Sequence, residues 1–268
     1  MASLGSRTIT IGKKIRNRFI LRNSNYVFRN FENYDNISIY PRHKLIYNRI
    51  KKSGNTTITA FLNDVLVGKP YDNVERLKAE LIRPMNLSSC ALRSLLTYRT
   101  ITFVRNPYDR VLSAYLGSGR IQKSYGRFRF GANNKEHFHQ FLEFLENGGL
   151  YVDRHWWPQV DLLFQPVEEF TYIGKLENIV ADMKAFLQHI GVDSDSSSRL
   201  GQPHEIETRD STGKIRSAQM KNQYYYSDYG RAIVERIYRK DFEKFNYQIF
   251  DYGRLAQRAE RSVNEHRS

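Results

Sequence analysis

Three things are scarce in this sequence, and each scarcity excludes something. There is one cysteine, Cys90, so neither an intrachain disulfide nor a multi-cysteine zinc site can be built. A reducing compartment is thereby permitted. No run of about 18 uninterrupted apolar residues exists, which argues against a membrane-spanning helix. The opening MASLGSRTITIGKKIRNRF has no apolar stretch of signal-peptide length before its charges begin, so export by that route is not expected. Internal repeats are absent, and the longest low-complexity tract is Ser196–Ser197–Ser198.

What is present is a 268-residue chain, 40% hydrophobic and 13% aromatic. That suffices for one large domain with its own core and is too apolar for a disordered chain. The formal net charge is +14. Ten basic side chains fall in residues 1–50 against Glu32 and Asp35, and residues 117–135 carry five with no acid at all. Such a field attracts polyanions: nucleic acid, anionic lipid, phosphorylated nucleotides or acidic glycans. Charge does not choose among them.

Residues 1–40 read as a basic, aromatic-rich lead-in with weak periodicity. A β-type run at 43–50 ends in KKSGNTT, and TITAFLNDVL then has helical spacing, with Ile58, Phe61, Leu62 and Val65 on one stripe. RTITFVR (99–105) is a second β-rich run that stops at Asn106–Pro107. The following YDRVLSAYL reads as a helix with proline in its first turn. Further helices are predicted at 135–147, at 176–190 and, as one piece, at 227–245, with a third strand at 170–174. Residues 191–222 are polar and irregular. Strands alternating with helices predict an α/β fold with a mainly parallel sheet, whose ligand sits at the carboxyl ends of the strands.

Two strand–helix joins carry anion-binding chemistry. In the first, Gly54 permits a tight turn and a close backbone approach. Asn55, Thr56 and Thr57 open a helix, whose first N–H groups cradle anions, and Lys52 adds a mobile charge. The loop lacks the glycine spacing of a Walker A motif, which disfavours a nucleotide kinase. In the second join, Arg105 ends a strand and Ser113 lies in the second helical turn; a guanidinium fork and a hydroxyl can meet on one phosphate. Asp109 and Arg110 read as surface charges. At this level three readings stand: an enzyme acting on a doubly phosphorylated nucleotide, a nucleic-acid-binding module, and a nucleotide-dependent phosphotransferase.

The order K-x-G-x-T-T, then R-N-P-Y-D-R-V-L-S-A-Y, then H-W-W-P-Q-V-D-L-L-F-Q-P, then Y-I-G-K-L-E-N-I resembles the PAPS-dependent sulfotransferases. It is closest to their carbohydrate branch (chondroitin, dermatan and HNK-1 types and bacterial relatives), from about Leu45 to Ile190, with an echo at 224–247. The resemblance implies a single domain over 1–268 with the P-loop-kinase-like sulfotransferase fold. It implies PAPS as donor, PAP as product, no metal and no nucleic-acid partner, with a hydroxyl acceptor that is a glycan, in keeping with the basic segment 117–135. Lys52, Gly54, Asn55, Thr56 and Thr57 then match the 5′-phosphosulfate loop, and Arg105 with Ser113 the 3′-phosphate clamp. His155, in the His-Trp segment with Asp153 nearby, is the candidate general base, and His43 the reserve. Residues 191–222 would close over the nucleotide. The chain departs from the branch at Lys51–Lys52–Ser53, at Asn106 and at Phe164–Gln165–Pro166, where cysteines are common. A cytoplasmic, bacterial protein is the expected setting, with a Golgi-lumen form lacking its anchor as the alternative.

Overall fold

A computed structural model of the chain describes residues 4–32, 36–68, 74–117, 134–201, 222 and 224–249. It divides into two compact units, one formed by residues 1–106 with 154–216, the other by 107–153 with 217–268.

The first unit holds helices α1 (Leu4–Ile20), α2 (Phe28–Phe31), α3 (Asn55–Val67), α4 (Val74–Glu80) and α5 (Ser89–Ser94). It also holds strands β1 (Ile37–Tyr40), β2 (Leu45–Asn48) and β3 (Arg99–Val104). The second unit takes α6 (Pro107–Gly117) and α7 (Lys135–Glu146). The chain then returns to the first unit with β4 (Tyr172–Lys175) and α8 (Ile179–His189), and ends in the second with α9 (Asp228–Ile237) and α10 (Arg239–Lys244).

The sheet runs β1-β2-β3-β4. β1 is antiparallel to β2, while β2, β3 and β4 are mutually parallel, with Asn48 opposite Thr102 and Thr102 opposite Ile173. β2 and most of β3 are buried on both faces, as parallel strands covered on two sides must be. One face, with Tyr47, Ile101 and Phe103, packs on Ile58, Phe61 and Leu62 of α3 and on Met183, Phe186 and Leu187 of α8. Side chains of the other face hold the chain at 162–170: Asn48 Oδ1 accepts from the Phe164 N–H at 2.9 Å, and Gln165 Nε2 donates to Thr100 Oγ1 at 2.7 Å. The second unit contains no strand among its described residues. Its helices enclose an aromatic cluster in which Phe138 of α7 meets Tyr115 of α6 and Tyr225 and Tyr226 ahead of α9.

The predicted α/β class and parallel joins are present, with several differences of detail. The lead-in is structured: α1 alone spans 17 residues. Its core contact is narrow, with Asn17 fully buried and Leu21 buried just past its end, so the apolar period that sequence reading relies on does not mark it. The first run starts at Leu45, because His43 closes a 3₁₀ turn and Lys44 takes a left-handed corner at φ 48°. β4 begins two residues late, after a 3₁₀ turn over Val167–Glu169. The last predicted helix is two helices, broken at the buried Tyr238, whose carbonyl accepts from the N–H groups of Asp241 and Phe242. Asp109 and Arg110 are buried, not surface charges; Asn222 Nδ2 donates to Asp109 Oδ1 at 2.9 Å, and Arg110 lies in the field of Tyr238. Of 191–222, residues 195–201 form a 3₁₀ stretch. Residues 202–221 of the stretch expected to cover a nucleotide, and the basic segment at 118–133, lie outside the described residues.

Burial raises the hydroxyls of Tyr40, Tyr47 and Tyr238 above their ordinary 10, and those of Tyr115 and Tyr172 to about 12. The native state therefore keeps protons that the unfolded chain releases. The corresponding stability is fully present below pH 10 and is lost as pH climbs through the raised values. Each fully buried tyrosine should contribute a slope of about 1 kcal/mol per pH unit there. A urea-midpoint series should thus be insensitive to these groups up to about pH 10 and drop steeply above it; a flat profile to pH 12 would show that they ionise in place.

Candidate active site

β2 and β3 are parallel neighbours, so the segments leaving their carboxyl ends emerge at one edge of the sheet. After Asn48 the chain runs through Arg49 and Ile50 into a turn over 51–54 and then into α3. Two residues of that turn are left-handed, Lys52 at φ 68° and Gly54 at φ 66°. Gly54 does this without strain, and a Cβ there would come within 2.6 Å of Leu176 Cδ1. Gly54→Ala should therefore destabilise the protein by about 2 kcal/mol, read from the urea midpoint. Lys52 has a Cβ and holds its conformation at a cost of about 1 kcal/mol.

Gly54 gives α3 no side-chain cap. The N–H groups of Asn55, Thr56 and Thr57 thus begin the helix with no preceding turn to accept them, the arrangement that favours an anion. No acid lies in that first turn. The Asn55 side chain points to a separate task. Its Oδ1 accepts from Nε of the buried Arg49 at 2.8 Å and from Thr59 Oγ1 at 3.3 Å. Arg49, which sequence reading passed over, places a guanidinium beneath the loop.

The second join meets the first through Gln159 and through one direct hydrogen bond. Gln159 is fully buried. Its Oε1 accepts from Ser53 Oγ at 3.0 Å and from the Arg105 N–H at 2.9 Å, while its Nε2 donates to the Arg105 carbonyl at 2.8 Å. Arg105 Nη1 in turn donates to the Lys52 carbonyl at 3.3 Å. The backbone at Lys52 and Ser53, the opening of α3 and the Arg105 side chain are thereby held together at one edge of the sheet. Beside it, the Asn106 N–H donates to a Glu177 carboxylate oxygen at 2.7 Å. Gln159 stands in the H-W-W-P-Q motif, which was its only sequence signal.

The remaining candidates are placed as follows. His155 sits half-buried in a turn four residues ahead of Gln159, followed by the fully buried Trp156 and by Trp157, whose ring has Arg154 at 5.0 Å and Arg29 at 5.5 Å. His43 is excluded as a base for this edge: it precedes the amino end of β2, and its Nε2 lies 3.0 Å from the Leu66 carbonyl. His139 of α7 pairs with Ser227 Oγ at 3.0 Å, next to the cap of α9. Ser113 lies in the second turn of α6, in the second unit. That unit anchors the start of α6 through Tyr226, whose hydroxyl donates to the Tyr108 carbonyl at 2.8 Å, and through a hydrogen bond from Tyr108 to the Glu235 carboxylate.

A sequence model of the Sulfotransferase family matches residues 35–248. The chain is a member of that family. Among curated relatives, the chain is 26% identical over 249 residues to human carbohydrate sulfotransferase 9, a match covering 83% of this chain and 54% of that protein. It is 22% identical over 254 residues to human carbohydrate sulfotransferase 8, covering 81% and 55%. The chain thus spans about half the length of these relatives. No solved structure matches it. The cytoplasmic placement read from the sequence gains no support from these relatives; among the described residues no helix is long and apolar enough to cross a membrane. No group of three or more His, Cys, Asp or Glu side chains is placed to hold a metal ion among the described residues.

Proposed function

We propose that the sulfotransferase moves a sulfuryl group from PAPS to a hydroxyl of a carbohydrate and releases PAP. The observation that carries this reading is the joining of two anion-binding strand ends through Gln159, which fits a small ligand charged in two places. The names of both curated relatives favour a carbohydrate acceptor. The family match draws residues from both compact units, and we take them to act as one catalytic domain.

The residues fit the donor. The first-turn N–H groups of Asn55, Thr56 and Thr57 would hold the 5′-phosphosulfate, with Gly54 leaving room for close approach. Lys52 would neutralise the charge that develops on the bridging oxygen as the sulfur–oxygen bond breaks. Arg105 would take the 3′-phosphate. Ser113 is assigned to that phosphate by family resemblance alone. A sulfuryl group carries less charge than a phosphoryl group, so positioning and charge stabilisation suffice without a metal. Removing the acceptor proton needs a base active near neutral pH; His155 is assigned to it by its place in the His-Trp segment.

Incubation with radiolabelled PAPS and a panel of glycans tests the reading. Label transferred to a glycan, in a manner that Arg105→Ala reduces, is the expected result. Label left entirely on the nucleotide with every hydroxyl acceptor would refute it. Nucleic-acid binding by the basic surface predicts instead an oligonucleotide affinity that falls steeply with salt and ignores PAP.

A further inference from the structure

The N-terminal helix carries a feature that the sulfotransferase reaction does not use. At about 100° per residue, Ile11, Ile15 and Phe19 of α1 fall within an arc of about 80°. All three are exposed, to 58%, 64% and 66%. Asn17, which is fully buried, lies on the opposite side of the same helix, and the buried Leu21 follows its end. The helix is therefore anchored to its unit by one face and presents an apolar stripe outward on the other. Isolated exposed apolar residues are ordinary; three aligned on one stripe are a docking surface.

The charges around the stripe say what it docks to. Lys14 and Arg18 run along its flank, and Arg22 continues the row with its guanidinium 5.1 Å from the centroid of the Phe19 ring. Residues 1–31 contain no acidic side chain; Glu32, which follows, has a carboxylate oxygen 3.5 Å from Arg18 Nη2. An outward apolar stripe bordered by Lys and Arg is the pattern of a helix lying in the plane of a membrane interface, its apolar side chains entering the acyl boundary and its cations meeting lipid phosphates. Nucleic acid would satisfy the cations and leave the aliphatic side chains in water.

We propose that α1 docks the protein peripherally on an anionic lipid surface through Ile11, Ile15 and Phe19, with Lys14, Arg18 and Arg22 facing the headgroups. The inference is independent of the donor and of the acceptor.

Co-sedimentation of the full chain with vesicles tests it, using phosphatidylcholine alone and phosphatidylcholine mixed with phosphatidylserine. A net charge of +14 would draw any such protein to the anionic vesicles, so the deciding comparison is Ile15→Ser/Phe19→Ser, which leaves the charge unchanged. The double variant should bind phosphatidylserine-containing vesicles roughly tenfold or more weakly. Lys14→Gln/Arg22→Gln should lose on the order of twentyfold, at about fivefold per cation. Both substitutions are on exposed side chains, so thermal midpoints should not move. Equal vesicle binding by wild type and Ile15→Ser/Phe19→Ser overturns the proposal. So does a wild-type dimer in sedimentation equilibrium that the double variant abolishes, which would make the stripe a contact between two copies of this chain.

Discussion

Replacing Lys52 by glycine should make the protein more stable and its sulfuryl transfer slower by roughly a hundredfold or more. The two effects have separate origins in one residue. Lys52 sits at φ 68°, where a side chain with a Cβ is strained and glycine is not. Relief of that strain should raise unfolding stability by about 1 kcal/mol. On the proposed function the ammonium meets negative charge on the leaving side, so its loss should appear in kcat. PAP affinity should change only severalfold, because the first turn of α3 and Arg105 remain. Lys52→Ala isolates the second effect: it should be as slow as the glycine variant without the gain in stability. Near-normal turnover in either variant would remove Lys52 from the chemistry. Stability given up at a site that needs it is the usual trade between fold and function.

Gln159→Leu should be among the most damaging single changes in the first unit. It leaves three partners without their bonds: Ser53 Oγ, the Arg105 N–H and the Arg105 carbonyl. With Ser53 and Gln159 both buried, the expected loss is about 3 kcal/mol or more. Ser53→Ala removes one of the three bonds and should cost about 1 kcal/mol. Gln159→Glu keeps the two bonds accepted by Oε1, so it should fold better than the leucine variant. It nevertheless sets a carboxylate beneath an anion site, and PAP should bind it more weakly than its stability would suggest. Urea denaturation with PAP titration on the three variants separates these outcomes. A Gln159→Leu protein with wild-type stability would mean that the two joins hold their places without the amide.

What could be read from the chain, and what could not, divides along sequence distance. The turn at Gly54 and the stop at Asn106–Pro107 depend on local backbone chemistry, so the joins were legible. So were α7 and α8, whose buried Phe138, Phe141 and Leu145, and Met183, Phe186 and Leu187, repeat at helical spacing. Gln159 bonds to partners 54 and 106 residues away, and no local pattern assigns it a role. Arg49 looked like one more of the ten cations in residues 1–50 until the fold buried it behind Asn55. His43 failed for the opposite reason: nearness in sequence to β2 did not reveal that it sits at the wrong end of that strand. α1 was missed because its apolar residues are few and spread among cations, with the polar Asn17 at its buried contact.

The central claim is that the opening of α3 and Arg105 grip one adenosine nucleotide by phosphates at two positions. Calorimetric titration with PAP and with adenosine 5′-monophosphate, which lacks the 3′-phosphate, tests it most directly. PAP should bind at least about tenfold more tightly, since a charge-assisted contact to Arg105 is worth on the order of 1.5–3 kcal/mol, and Arg105→Ala should erase most of the difference. Equal affinity for the two nucleotides in the wild-type protein would contradict it.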